Sequence, residues 1–200
     1  MDIIAVLQQE LNIRRNQVEA AVKLIDEGNT IPFIARYRKE VTGSLDDEVL
    51  RNLHERLMYL RNLEDKKAQV LSSIEEQGKL TEELRAQIVA AQTLVAVEDL
   101  YRPYRPKRRT RATIAKEKGR EPLANVIMLQ MVSEPLENIA RAYVSEEKGV
   151  EAEAQALDGA RDIIAEFISD EAKYRTWIRK ATEGEGRIAS KAKDEKAQSV

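Results

Sequence analysis

The sequence has no cysteine. That excludes disulfides, thiolate catalysis and cysteine-ligated zinc, and fits a reducing compartment. It has one histidine, His54, with no nucleophile or metal-ligand spacing beside it, which leaves little material for general base or imidazole-metal chemistry. Neither a G-x-x-x-x-G-K-[ST] nor a G-x-G-x-x-G phosphate loop occurs. Aromatic residues make up only 4%, and glycine (8) and proline (5) are scarce, so a sheet protein rich in turns is disfavoured. No apolar run approaches the length of a membrane span. The N-terminus MDIIAVLQQEL carries no basic segment ahead of its apolar residues, so it does not read as a signal peptide. These absences together predict a cytoplasmic, helical, non-enzymatic protein with no cofactor and no metal.

What is present is charge, unevenly placed. The net charge is only -2. Residues 101–120, YRPYRPKRRTRATIAKEKGR, hold nine basic residues against the single acid Glu117, a balance of +8. Each flank carries -5. Such an island repels itself, so an anionic partner or the chain's own carboxylates must offset it. Arg102, Arg105, Lys107, Arg108, Arg109 and Arg111 crowd into ten residues, followed by Lys116 and Lys118. Guanidinium groups fork onto phosphate oxygens, and the interleaved Tyr101 and Tyr104 are candidates for stacking on unpaired bases. Arg36, Arg38 and Lys39, beside Phe33 and Tyr37, form a second, smaller basic cluster. Nothing in either cluster supplies base-edge readout, so the expected contact is sequence-independent, to RNA or DNA alike. Two other readings of the island stay open: Tyr101 and Tyr104 are core anchors and the arginines pair with local acids, or the island docks onto a separate acidic domain. The acidic pairs Asp46–Asp47, Glu75–Glu76 and Glu82–Glu83 fall at helix ends or on exposed faces and read as dipole complements rather than catalysts.

Apolar residues recur at helical spacing throughout, which predicts an all-α fold. Ile3, Ile4, Leu7 and Leu11 form one short run. Asn12 interrupts it, and Val18, Ala21, Val22 and Ile25 form the next, closed by Gly28 and Asn29. This pair, within residues 1–45, is helix-turn-helix-like or a plain helical hairpin. A long helix is predicted over 45–77, capped by Ser44 and stopped by Gly78, with Leu50, Leu53, Leu57, Leu60, Leu71 and Ile74 along one seam and Glu64 and Lys67 weakening it. Its length implies an elongated multi-helix array. Thr81 starts another helix. Pro103 and Pro106 break the chain inside the island, and a helix is expected to resume over 107–118. Further helices fill 122–182, started by Pro122 and Pro135 and including 150–168 and 170–182. The polar tail 183–200 has no core pattern and reads as disorder or as the cut-off start of another segment.

Certain strings say more than composition does. PFIARYRKEVTGSLDDEVLRNLHERLMYLRNLEDKK, SIEEQGKLTEEL and EDLYRPYRPKRRTRATIAKEKGREPLA resemble the Tex family of bacterial transcription accessory proteins. The resemblance runs from about residue 3 to the end and is looser after about residue 132. It implies that residues 1–182 form a Tex-like N-terminal helical domain of a longer protein. It implies further that a nuclease-like domain, helix-hairpin-helix motifs and an S1-type RNA-binding domain would follow. The implied partners are nucleic acid, the other domains of the full-length protein and the transcription machinery, with no membrane. No residue of this region is a catalytic residue in the family. The expected function is therefore a non-catalytic module of a nucleic-acid-binding transcription accessory protein, touching phosphates through the basic island. The alternative is a helical scaffold that positions the remaining domains without binding nucleic acid itself.

Overall fold

The structure, a computed structural model, describes residues 1–191. The fold is all-α, as the periodicity predicts; among the described residues the only β feature is an isolated bridge between Ser145 and Val150. The helices are α1 (Ile3–Leu11), α2 (Arg15–Asp26), α3 (Ile31–Tyr37), α4 (Lys39–Thr42), α5 (Asp47–Glu76), α6 (Glu82–Ala90), α7 (Leu94–Tyr101), α8 (Arg111–Glu117), α9 (Glu121–Leu129), α10 (Leu136–Ala140), α11 (Glu153–Asp170) and α12 (Ala172–Glu185). Short 3-10 turns occupy Arg102–Tyr104, Arg141–Tyr143 and Glu146–Lys148. The chain forms two compact units, Met1–Val97 and the remainder from Glu98. No described helix is long and apolar enough to cross a membrane.

The first unit is organised by α5, whose 30 residues give it a length of about 45 Å. Its seam is Leu50, Leu53, Leu57, Leu60, Leu63, Lys67, Val70 and Ile74, all buried. The three-and-four spacing packs this stripe against α1, α2, α3 and α6. The seam departs from expectation at Leu71, which is half-buried, while Val70 takes the inward position. Lys67 does lie on it. Its ammonium is buried but satisfied, donating to Glu64 Oε1 at 2.9 Å and to the Val89 carbonyl at 2.9 Å. The cap also differs: Asp46, not Ser44, accepts the Val49 N–H at 2.8 Å, and Ser44 sits in a left-handed conformation at φ 64°. The carboxylate two residues nearer the helix therefore does the capping. Gly78, at φ 66°, ends the helix as expected. Asn12 likewise closes α1 in the left-handed region.

The second unit is built on α11, which packs against α8, α9, α10 and α12. Its core is small-residue rich: Ala112, Ala115, Leu123, Ala124, Ala140, Val150, Ala156, Ala160 and Ile163. Small side chains let these helices approach closely. Gly159, in the middle of α11, makes room for one large neighbour. A Cβ there would stand 2.3 Å from the Arg120 Cδ. α12 runs through Glu185, so the start of the expected tail is helical; the part of that expectation on 192–200 lies outside the described residues.

Candidate nucleic-acid interface

The first half of the island is a connection held between two helices, α7 and α8. α7 ends at Tyr101, the Arg102–Tyr104 turn carries Pro103, and no helix resumes until Arg111. The expected restart at 107 is corrected by four residues. Thr110 is the cap, its hydroxyl accepting the Thr113 N–H at 3.0 Å, so residues 106–109 stay outside the helix. The loop therefore presents Lys107, Arg108 and Arg109 on non-helical backbone.

The cations divide into two groups. The inner group is anchored to Asp170, the last residue of α11, which is only 8% exposed. Arg102 Nε donates to Asp170 Oδ1 at 2.9 Å. The Lys107 ammonium donates to the other oxygen, Oδ2, and stands 3.5 Å from Glu166 Oε1. One buried carboxylate thus fixes both ends of the loop's first turn.

The outer group faces water. Arg108 is exposed and has no carboxylate within 4 Å among the described residues. The side chains of Arg105 and Arg111 are 65% and 87% exposed, and their nearest carboxylates, Glu98 and Asp162, lie at 4.0 and 3.8 Å, beyond hydrogen-bonding distance. Arg109 donates to Glu117 at 2.7 Å, across an exposed pair. Lys116 pairs with Glu121 at 3.0 Å. Lys118 donates to the Gly149 carbonyl at 3.1 Å. Exposed pairs of this kind contribute little and exchange readily with another anion.

Tyr101 and Tyr104 are half-buried, and each already has a partner within the protein. Tyr104 helps line a hollow of about 430 Å³ with Pro103, Met128 and Phe167. Arg36, Arg38 and Lys39 lie in the first unit, whereas the island lies in the second. Arg38 stacks its guanidinium 5.1 Å from the Phe33 ring centroid, and Arg36 and Lys39 line a shallow hollow with Asp46 and Asp47.

Sequence reasoning missed the buried acids that organise this unit. Asp99, in α7 just ahead of the island, is 4% exposed. It accepts Arg175 Nε at 2.7 Å and Arg179 Nη2 at 2.6 Å from α12. Burial pushes its carboxyl up, but the two arginine hydrogen bonds outweigh that and hold it below the usual carboxylate range. The pairings Arg102–Asp170 and Asp99–Arg175 span 68 and 76 residues, so no local pattern announces them. Arg120, the last cation of the island, is 8% exposed and has no hydrogen-bond partner at its buried Nε.

Residues 1–75 match the model of the Tex-like protein N-terminal domain, and residues 132–200 match the Tex central region-like model. The island lies between the two matches. The transcriptional accessory protein Tex of Neisseria gonorrhoeae is 53% identical over 173 residues, covering 86% of this chain and 22% of that protein. Protein tex of Bordetella pertussis is 48% identical over 189 residues, 94% of this chain and 24% of that protein. The human S1 RNA-binding domain-containing protein 1 is 28% identical over 180 residues, 89% of this chain and 18% of that protein. The chain spans about a quarter or less of the length of these relatives.

Proposed function

Because the chain belongs to the Tex family, we propose that it is a non-catalytic, cytoplasmic module that contributes sequence-independent phosphate contacts to nucleic acid through the outer row Arg105, Arg108, Arg109 and Arg111. Two relatives carry names that tie them to transcription and to an S1 RNA-binding domain, which supports this partner class. The observation that carries the reading is the division of the island. Asp170 absorbs Arg102 and Lys107, while the outer arginines stay exposed and weakly engaged. A loop anchored at Arg102 and Lys107, with a solvent-facing row of forks, loses less entropy than a free one when phosphates replace its surface carboxylates. Each phosphate neutralised releases counterions, so affinity falls steeply with salt.

The test is a polarisation titration with a labelled oligonucleotide at two salt concentrations. Reversing Arg105, Arg108 and Arg109 to glutamate is expected to weaken binding at low salt by about tenfold or more. Unchanged affinity would remove the reading. The paired inner group favours a second role in parallel, as a scaffold for the rest of a longer protein. On that role, replacing Arg102 or Lys107 lowers stability and leaves nucleic-acid affinity as it was.

A further inference from the structure

α12 is unlike the other long helices, because none of its side chains is buried. Its sequence, AKYRTWIRKATEGE, alternates cations with aromatics. At 3.6 residues per turn, Lys173, Trp177 and Lys180 share an arc of about 60°, roughly opposite Arg175 and Arg179. The structure bears out that division. Arg175 and Arg179 turn inward and are consumed by Asp99. Lys173 and Lys180 are exposed, and neither ammonium has a carboxylate within 4 Å among the described residues. Between them Trp177 is 69% exposed, and the adjoining Tyr174 is 43% exposed. A large aromatic held in water at this cost, flanked by two unpaired cations, is the arrangement that grips a polyanion bearing a flat ring.

We propose that this outer face of α12 is a second nucleic-acid contact, separate from the island. Lys173 and Lys180 take successive phosphates, and an unpaired base stacks on Trp177. The charge pattern selects the occupant: an apolar partner helix would leave both lysines unanswered, and an acidic protein would leave the indole face unstacked. The inner face fixes the geometry, since the Asp99 clasp holds α12 by Arg175 and Arg179 and so aims Trp177 outward.

Trp177 is the only tryptophan in the chain, so its fluorescence reads this face directly. The experiment titrates the protein with a short oligothymidylate of about ten nucleotides, within the site size of one single-strand-binding module. Saturable quenching that added salt reverses is expected. Lys173→Glu with Lys180→Glu should weaken that quenching by about tenfold, and the neutral pair Lys173→Gln with Lys180→Gln by less, with helicity by circular dichroism unchanged in both. Quenching should persist when Arg105, Arg108 and Arg109 are reversed. Absence of quenching, indifference to the lysine replacements, or loss of quenching on island reversal would each overturn the proposal. Equal quenching by polyglutamate would also overturn it and assign the face to an acidic protein. Because the island is read by polarisation in its own variants, either site can fail without the other.

Discussion

Arg102 Nε sits 2.9 Å from Asp170 Oδ1, while Lys107 takes the other oxygen of the same buried carboxylate. Arg102 and Lys107 are therefore structural, and their positive charge is answered inside the unit. Asp170→Asn removes the negative charge that answers two cations and leaves one acceptor oxygen between them. It should lower stability by about 2 kcal/mol, less than for a fully buried pair because both cations are partly exposed. Arg105→Ala, which removes only a 4.0 Å contact, should stay within about 0.5 kcal/mol. Urea denaturation of the two variants checks both values. Equal effects would mean that the inner and outer groups do not differ.

Arg120 is a buried guanidinium with no carboxylate within 4 Å among the described residues, lying against Gly159. Desolvating a charge without a partner is costly, and a buried charge exchanged for a well-packed apolar side chain commonly stabilises. Arg120→Leu is therefore expected to raise stability by about 1 kcal/mol or more. Gly159→Ala should destabilise in the native background, where its Cβ meets Arg120 at 2.3 Å. It should cost little in an Arg120→Ala background, because the obstructing atoms are gone. Thermal denaturation of the four-member cycle measures this coupling.

Asp99 holds α12 through Arg175 and Arg179. Since no α12 side chain is buried, this clasp carries much of the helix's attachment. Asp99→Asn should expose the amides of α12 to exchange about a hundredfold faster, the change that loss of a buried ion pair produces. Hydrogen exchange resolved by peptide checks it. Protection in α12 equal to that of the parent protein would show that the helix is held by other means.

In the first unit, Arg56 forks onto Glu10 at 2.6 and 2.7 Å, and Arg61 forks onto Asp26 at 2.7 and 2.9 Å. These hydrogen bonds hold both carboxyls below their ordinary values of 4.5 and 3.8. A lowered folded-state value means the unfolded chain takes up the proton first as pH falls. The stabilisation is thus complete at neutral pH and is lost below about pH 4.5, as pH drops through the lowered values. Asp99 adds a contribution of the same sign. Melting temperatures at pH 7, 5 and 3 should be level across the first interval and fall across the second. In Glu10→Gln with Asp26→Asn the fall should shrink.

The helical class was legible because it rests on local periodicity: Leu50, Leu53, Leu57 and Leu60 are all on the buried seam of α5. The stops at Asn12, Gly28 and Gly78 were legible because left-handed backbone favours those residue types. The cap of α5 was misplaced because Ser44 and Asp46 are both good caps, and only the chain's path decides between them. The start of α8 was misplaced because a proline marks where a helix stops more clearly than where the next one begins. The island was visible as composition. Its division was not, because Asp170 approaches from 68 residues away. The exposed face of α12 escaped notice for a different reason. Tyr174, Trp177 and Ile178 have the spacing of core residues, and burial alone separates a core stripe from a binding stripe.

The division of the island is tested most directly by the salt dependence of oligonucleotide binding. Log Kd is measured against log salt for the parent protein, for the outer variant Arg105→Glu, Arg108→Glu, Arg109→Glu, and for the inner variant Arg102→Gln, Lys107→Gln. The outer variant should bind more weakly and with a slope reduced by roughly two to three, about one per lost phosphate contact. The inner variant should keep the parent slope and lose only stability. Parallel lines for the parent and outer variant, or a loss of slope confined to the inner variant, would contradict the account.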